Sequence, residues 1–424
     1  MNTGTVIVGA GQSGAQLALS LRELGYPNRI TLIGDEEHLP YQRPPLSKEY
    51  MSGQLADSEL PLRTADYYKK HAIEVVTADP AAQISREDAT VTLASGRRVP
   101  YRQLVLATGA RNRRLPFEGG EPANVHYLRT RDDAARLREA LGGAKNVLIV
   151  GAGFIGLEFA SVARLAGAHV TVVEMADRVM GRAVSEEISA YFAARHTAWG
   201  TEVLCSTSID EFQRAEDGRV TAVRIGDRTL PVDLVLVGIG VLPNAELAQE
   251  AGLAVGNGII VDSGLTTSDP AIYAIGDCAS HPRPETAGLV RVESVQNAAD
   301  QARFLARRLC GQGGHYTDVP WFWSHQTGDK LQIAGLSQPT DTTVVLGEPD
   351  TGRFSIARIR DGRLAAVESV NSPGDHLASR RLLANGVHVS EEQLRQPGFA
   401  LRKAIHTAPD GATTDHRLLE RTTR

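Results

Sequence analysis

Gly9, Gly11 and Gly14, and again Gly151, Gly153 and Gly156, are the residues whose spacing first points to chemistry. In a G-x-G-x-x-G turn the first glycine permits a tight bend and the second lets the backbone approach a pyrophosphate. The third lets a helix lie close on its strand, and the helix N-terminus offers amide N–H groups to the phosphates. Each motif is followed by an acid, Asp35 or Glu174, that can accept hydrogen bonds from an adenosine ribose. The elements needed to hold these groups are present in both places. An apolar run enters each turn, an amphipathic stretch without proline leaves it and ends at Gly25 or Gly167, and a second apolar run closes on the acid. A glycine-rich turn of some other doubly wound protein is the competing reading of one such motif. Here strand, helix and acid accompany both. The copies also match at Val8/Val150, Ala18/Ala160, Arg22/Arg164 and Gly25/Gly167. A repeat this long and this few in copies is no solenoid. Two dinucleotides in one chain imply electrons passed between them.

The composition agrees. With 424 residues, 42% of them apolar, there is core for two or three domains. A net charge of −5 gives no global case for nucleic acid or an anionic membrane as partner. Apolar runs stay short of the roughly 18 residues a membrane span needs. The first strand begins near Thr5, which leaves no room for a signal peptide, so the expected location is cytoplasmic. Cys205, Cys278 and Cys310 lie far apart, so their spacing suggests neither a redox disulfide nor a metal site, and all three are expected to be ordinary buried thiols. A disulfide reductase needs a local cysteine pair. Electrons must leave this protein another way.

Between the motifs, consecutive prolines at Pro44 and Pro45 argue against helix, and Ser47 is placed to cap a short helix from Lys48. Strands are expected at Ile73–Val76 and Thr90–Leu93, and a buried strand at 104–108 ends in a turn at Gly109. Helices are expected over 127–141, 186–199 and 294–310, an antiparallel excursion over 201–229, and a buried strand over 267–275. A smaller α+β domain follows from 316 to about 401, and the last fifteen or so residues, rich in Thr, Arg and Asp, are expected to fray.

With these segments placed, the chain resembles, over nearly its full length, the FAD-dependent, NADH-dependent ferredoxin reductases that serve bacterial cytochrome P450s and aromatic-ring dioxygenases. The resemblance rests on RPPLSK (43–48), LVLATGA (104–110), GAGFIGLE (151–158), GIGVLPN (238–244), TSDPAIYAIGDCA (267–279), RVESVQNA (291–298) and PWFWS (320–324). It implies an α/β, glutathione-reductase-like fold with a C-terminal α+β interface domain. An FAD domain would comprise 1–111 and 242–317, an NAD domain 112–241, and the C-terminal domain 318–424.

Residue by residue, the resemblance gives the first glycine motif, Asp35, Arg43, Thr108 and Gly109 to FAD. Gly276 and Asp277 would hold its ribityl chain, although Asp277 is also readable as a strand-end cap. Lys48 would lie by the flavin ring, where a cation favours the reduced anion, with Glu158 paired to it and touching the nicotinamide. Arg129 would steady FAD, while Ala81 and Val295 would offer backbone contacts, Val295 from a helix N-terminus; packing is the rival reading for all three. Trp321 would sit near the flavin on the ferredoxin side and act in catalysis, or else be a core tryptophan like Trp323.

For NAD the residues are the second glycine motif with Ile155, Glu174, Arg182 (with Arg178 also near a pyrophosphate), Gly238, Ile239 and Gly240. An acid at position 174 accepts from a ribose 2′-OH and repels a 2′-phosphate, so NADH is expected over NADPH. No metal is implied. The implied partner is an acidic [2Fe–2S] ferredoxin serving a P450 or oxygenase, docking on Arg63, Arg291, Arg303, Arg307 and Lys330, which are equally readable as solvated charges. Where the family commonly has an acid after PWFWS, this chain has His325, a surface change or a pH-sensitive charge near the electron exit. Rival readings are a rubredoxin reductase, an NADH oxidase or dye reductase, and an apoptosis-inducing-factor-like flavoprotein. The last lacks support from a targeting segment or a basic charge balance.

Overall fold

Both glycine motifs fold as their spacing requires. The computed structural model describes residues 3–286 and 288–405; the expectation that the last residues fray falls outside them. In the first copy the strand Gly4–Val8 enters the turn and the helix Gln12–Glu23 leaves it, and Ile30–Ile33 returns parallel to the first strand. In the second copy the same parts are Asn146–Val150, Phe154–Leu165 and His169–Val173. The matched arginines explain themselves here. Arg22 donates to the carbonyl of Tyr26 and Arg164 to that of Ala168, clamping each helix end to the chain that turns back from it.

The two parallel sheets have corresponding strand orders. In the first, Ile73–Val76, Ile30–Ile33, Gly4–Val8, the later half of Arg98–Leu106, and Ile272–Ala274 lie side by side. In the second the order is Thr201–Leu204, His169–Val173, Asn146–Val150, Leu234–Val237 and Val125–His126. The inner strands, such as Ile30–Ile33 and Leu234–Val237, are buried along their length because both faces of a parallel sheet are covered. The helix Val295–Leu309 packs along Gln12–Glu23, and its N-cap Ser294 accepts from the Asn297 N–H.

Four expectations change. Pro44–Ser47 is itself a single 3₁₀ turn, because prolines at the first two positions remove N–H groups that have no partner there anyway, and Lys48 ends that turn rather than starting a helix. The helix expected over 127–141 is Arg131–Leu141: Thr130 and Asp133 form a reciprocal capping box, and Val125–His126 is drawn out as a sheet strand. Thr201–Leu204 joins the parallel sheet, leaving the antiparallel excursion to Glu211–Arg214, Val220–Ile225 and Arg228–Pro231. Of the cysteines only Cys278 is buried; Cys205 and Cys310 are half-buried.

The chain forms two compact units, residues 1–330 and the residues from Leu331 on. In the second, Thr342–Glu348, Arg353–Arg360 and Arg363–Val370 form an antiparallel sheet extended by residues 331–335. Its apolar side, with Val344, Ala357, Ile359 and Val367, packs on Ala378, Leu382 and Leu401 of the helices that follow. Arg358 and Glu368 form a buried ion pair at 3.2 Å.

Candidate active site

Each cradle is made by what a side chain would hit. A Cβ at Gly9 would overlap the Ala107 carbonyl and one at Gly14 the Gly9 carbonyl, while one at Gly11 would meet nothing within 4 Å. The second copy repeats this: a Cβ at Gly151 would lie 2.5 Å from the Gly238 carbonyl and one at Gly156 would overlap Gly151, but Gly153 is open to 4.0 Å. Gly9 and Gly151, at φ +112° and +102°, adopt backbone that only glycine holds without strain. The open middle glycine above a helix N-terminus fits a pyrophosphate in both copies. In the first copy a cleft of about 310 Å³ brings Gly9, Asp35, Ala81 and Thr108 together beside Asn244. These residues fit the adenosine half of a dinucleotide.

Further along the first cradle, Arg129 donates to the Asp277 carboxylate at 3.0 Å and lies 3.4 Å from where a Cβ of Gly109 would be. Arg43 donates to the Arg129 carbonyl and to Glu36, so four of the expected FAD residues form one connected group. Gly276 packs against Ser13 at the start of the first helix, and its N–H donates to Gln301 at 2.7 Å. Val295 is the first residue of its helix.

In the second copy, Glu174 accepts from the N–H groups of Ala152, at 2.8 Å, and Ala176, at 2.9 Å, so its carboxylate is held at the lip of the turn. Ile155 stays 43% exposed on the first turn of its helix, a large apolar side chain free to meet a ligand. Arg182 reaches within 3.3 Å of a Cβ position on Gly240. Arg178 does not take part: its guanidinium donates to the carbonyls of Gly181, Val184 and Ser185.

Lys48, in the segment that follows the first copy, meets the helix of the second. Its ammonium donates to Glu158 Oε2 at 2.7 Å, and the Glu158 side chain is 2% exposed. Two residues that motif reading overlooked complete this centre. Ser47 Oγ donates to Oε2 at 2.5 Å and Ser324 Oγ to Oε1 at 2.7 Å. Both stand inside the quoted motifs, but sequence distances of 111 and 166 residues hide that they share a carboxylate. Trp321 lies on the same strand as Ser324, Trp321–Gln326, half-buried with its ring centroid 5.5 Å from that of Trp323. Trp323 is half-buried too, not core.

One surface expectation also changes. Arg291 is not offered to solvent: its side chain is 8% exposed and is engaged by Glu293, Asn257 and the Asp277 carbonyl. Arg63, Arg303, Arg307 and Lys330 are exposed. His325 is exposed on its strand, as a surface change would be, and desolvation, with Lys330 and Lys48 nearby, pushes its pKa down. Among the described residues no helix is long and apolar enough to cross a membrane.

Two glycine cradles in one compact unit define a protein that brings two dinucleotides together. The chain belongs to the pyridine nucleotide-disulphide oxidoreductase family, whose profile matches residues 3–302, and it carries the domain described as reductase C-terminal over 321–405. It is 48% identical over 402 residues to rhodocoxin reductase of Rhodococcus erythropolis, covering 94% of each chain. Its structure is similar to that of the ferredoxin reductase for the CYP199A2 system from Rhodopseudomonas palustris, with a TM-score of 0.92, 47% identity, and coverage of 95% of this chain and 100% of that one. A covalent putidaredoxin reductase–putidaredoxin complex matches with the same TM-score at 38% identity, covering 96% and 98%.

Proposed function

We propose that this chain is an NADH-dependent, FAD-containing ferredoxin reductase whose ferredoxin supplies a cytochrome P450 or oxygenase. FAD, held by the first cradle, would supply a hydride acceptor for NADH and a donor of single electrons to the [2Fe–2S] centre of the ferredoxin. The observation that carries the reading is two open glycine cradles in one unit, with buried Glu158 on the helix that leaves the second held by Lys48 of the segment that follows the first copy. In this reading Gly9, Gly11, Gly14, Asp35, Ala81 and Thr108 bind the adenosine half of FAD. Arg43, Gly109, Arg129, Gly276 and Asp277 hold the chain toward the ring. Val295 brings the N-terminal amides of a 15-residue helix to the ring's electron-rich end.

Gly151, Gly153, Gly156, Arg182 and the 238–240 turn bind NADH, with Ile155 against its apolar surface. Glu174 accepts from the ribose 2′-OH and repels a 2′-phosphate, which favours NADH over NADPH. Lys48 supplies positive charge beside the ring, and Glu158 holds that ammonium in place. Trp321 stands at the proposed electron exit, with Arg63, Arg303, Arg307 and Lys330 as the basic face for an acidic partner. The proposed domains are residues 1–111 and 242–317 for FAD, 112–241 for NAD, and 318–424 as the C-terminal domain. The proposed location is the cytoplasm, where NADH is made.

Anaerobic stopped-flow absorbance tests this. Mixing the flavin-loaded protein with NADH should bleach the flavin band, and adding a [2Fe–2S] ferredoxin should restore it. Bleaching without recovery would move the electrons to another acceptor. No bleaching would remove the NADH role.

A further inference from the structure

We propose that Ser324, Gln326 and His196 form a positioning chain that orients the Glu158 carboxylate toward Lys48 from behind. The proposal rests on the ferredoxin-reductase reading of the site. His196 is fully buried on the helix Glu186–Ala198, and its Nε2 lies 2.9 Å from Gln326 Oε1. An amide oxygen only accepts, so His196 carries its proton on Nε2. Gln326 Nε2 donates to Ser324 Oγ at 3.2 Å and also faces the Met180 sulfur at 3.6 Å. Ser324 has one hydroxyl proton, and it goes to Glu158 Oε1 at 2.7 Å. Every donor in this series therefore points the same way and ends on the carboxylate. Oε2 receives Lys48 and Ser47 from the other side.

Direction is what gives the chain a role beyond filling space. Aligned hydrogen bonds in a low-dielectric interior polarise one another, so the serine hydroxyl presented to Glu158 is a stronger donor than an isolated one. Gln326 is 2% exposed and Ser324 and His196 are fully buried, where well-packed apolar side chains cost less than polar ones. Burial lowers the His196 pKa, which keeps the ring neutral and its Nδ1 lone pair, buried without a partner, unprotonated. A second anchor lies alongside: the Thr327 N–H donates to Ser161 Oγ on the Glu158 helix at 3.0 Å.

The test uses the flavin-loaded protein with Ser324→Ala, Ser324→Thr, Gln326→Leu, Glu158→Gln and the Ser324→Ala/Glu158→Gln double variant. Ser324→Ala should slow flavin reduction at saturating NADH about ten-fold while NADH Kd changes less than about two-fold. Ser324→Thr, which keeps the hydroxyl, should recover most of the rate. The double variant should be no slower than Glu158→Gln, because the serine acts through the carboxylate. Nitrogen-15 NMR of the imidazoles supplies a readout independent of turnover: the His196 Nε2–H signal, assigned by its loss in His196→Asn, should shift in both Gln326→Leu and Glu158→Gln. An unchanged rate in Ser324→Ala, multiplicative slowing in the double variant, or a His196 signal indifferent to Glu158→Gln would each overturn the proposal. If the unmutated protein is not reduced by NADH, the functional reading fails, and the NMR coupling still decides whether the chain exists.

Discussion

Replacing Lys48 by Met removes an ammonium from Glu158 while leaving two serine hydroxyls on the carboxylate. Flavin reduction by NADH should fall by about 10²-fold, the scale of losing one preorganised charge, with flavin content unchanged. Glu158→Gln should slow the same step, because it loosens the ammonium without touching the FAD cradle. Equal reduction rates in both variants and the parent would end this assignment. Glu174 governs coenzyme choice at the same scale. Its carboxylate is pinned by two backbone N–H groups and cannot swing aside for a 2′-phosphate. Glu174→Ala should therefore move the NADPH:NADH ratio of kcat/KM toward NADPH by roughly 10- to 100-fold, read from steady-state kinetics with each coenzyme.

At the scale of the element, the glycines of one turn separate folding from binding. Gly14→Ala drives a methyl group into the Gly9 carbonyl and should cost about 1–3 kcal/mol or more, seen as a lower Tm. Gly11→Ala meets no atom of the protein within 4 Å and has an ordinary negative φ of −83°. That variant should melt within about 2 °C of the parent as apoprotein, yet take up little flavin, because the methyl stands where the pyrophosphate approaches. Gly153→Ala should keep the flavin and weaken NADH binding instead. If Gly11→Ala purifies fully yellow, the first cradle does not hold FAD as described. These contrasts were legible in the motifs. The 3₁₀ turn at Pro44–Ser47 and the strand Val125–His126 were not, because a single turn and a two-residue strand are too short to leave a period.

Across the whole molecule, buried histidines contribute to the acid side of stability. His281 is fully buried beside Gln301, and burial, with Arg283 nearby, lowers its pKa to about 4. The unfolded chain takes up its proton near the ordinary value of about 6.5, so the unfolded state binds more protons between there and about 4. This contribution to stability is complete above about pH 6.5, declines as pH falls through that window, and levels off below it. His196 and His126, also lowered by burial, act in the same direction. Tm should accordingly fall on acidification from pH 7 to pH 4, and His281→Phe should flatten that fall. An identical Tm profile in the variant would assign the acid sensitivity elsewhere.

The sequence by itself determined the two βαβ copies, their glycines, their terminal acids and the motifs that mark the family, since these are local patterns read within some thirty residues. It also placed Lys48 and Glu158 in separate motifs. Only the tertiary structure decided that Ser47, Ser324, Gln326 and His196 converge on Glu158, and that Arg291 is consumed inside the fold while Arg63 stays outside. The physical reason is common to all of these. A hydrogen-bond partner, a burial or a desolvation belongs to the space around a residue, and the fold fills that space, around Glu158 and His196 with segments more than a hundred positions away in the chain.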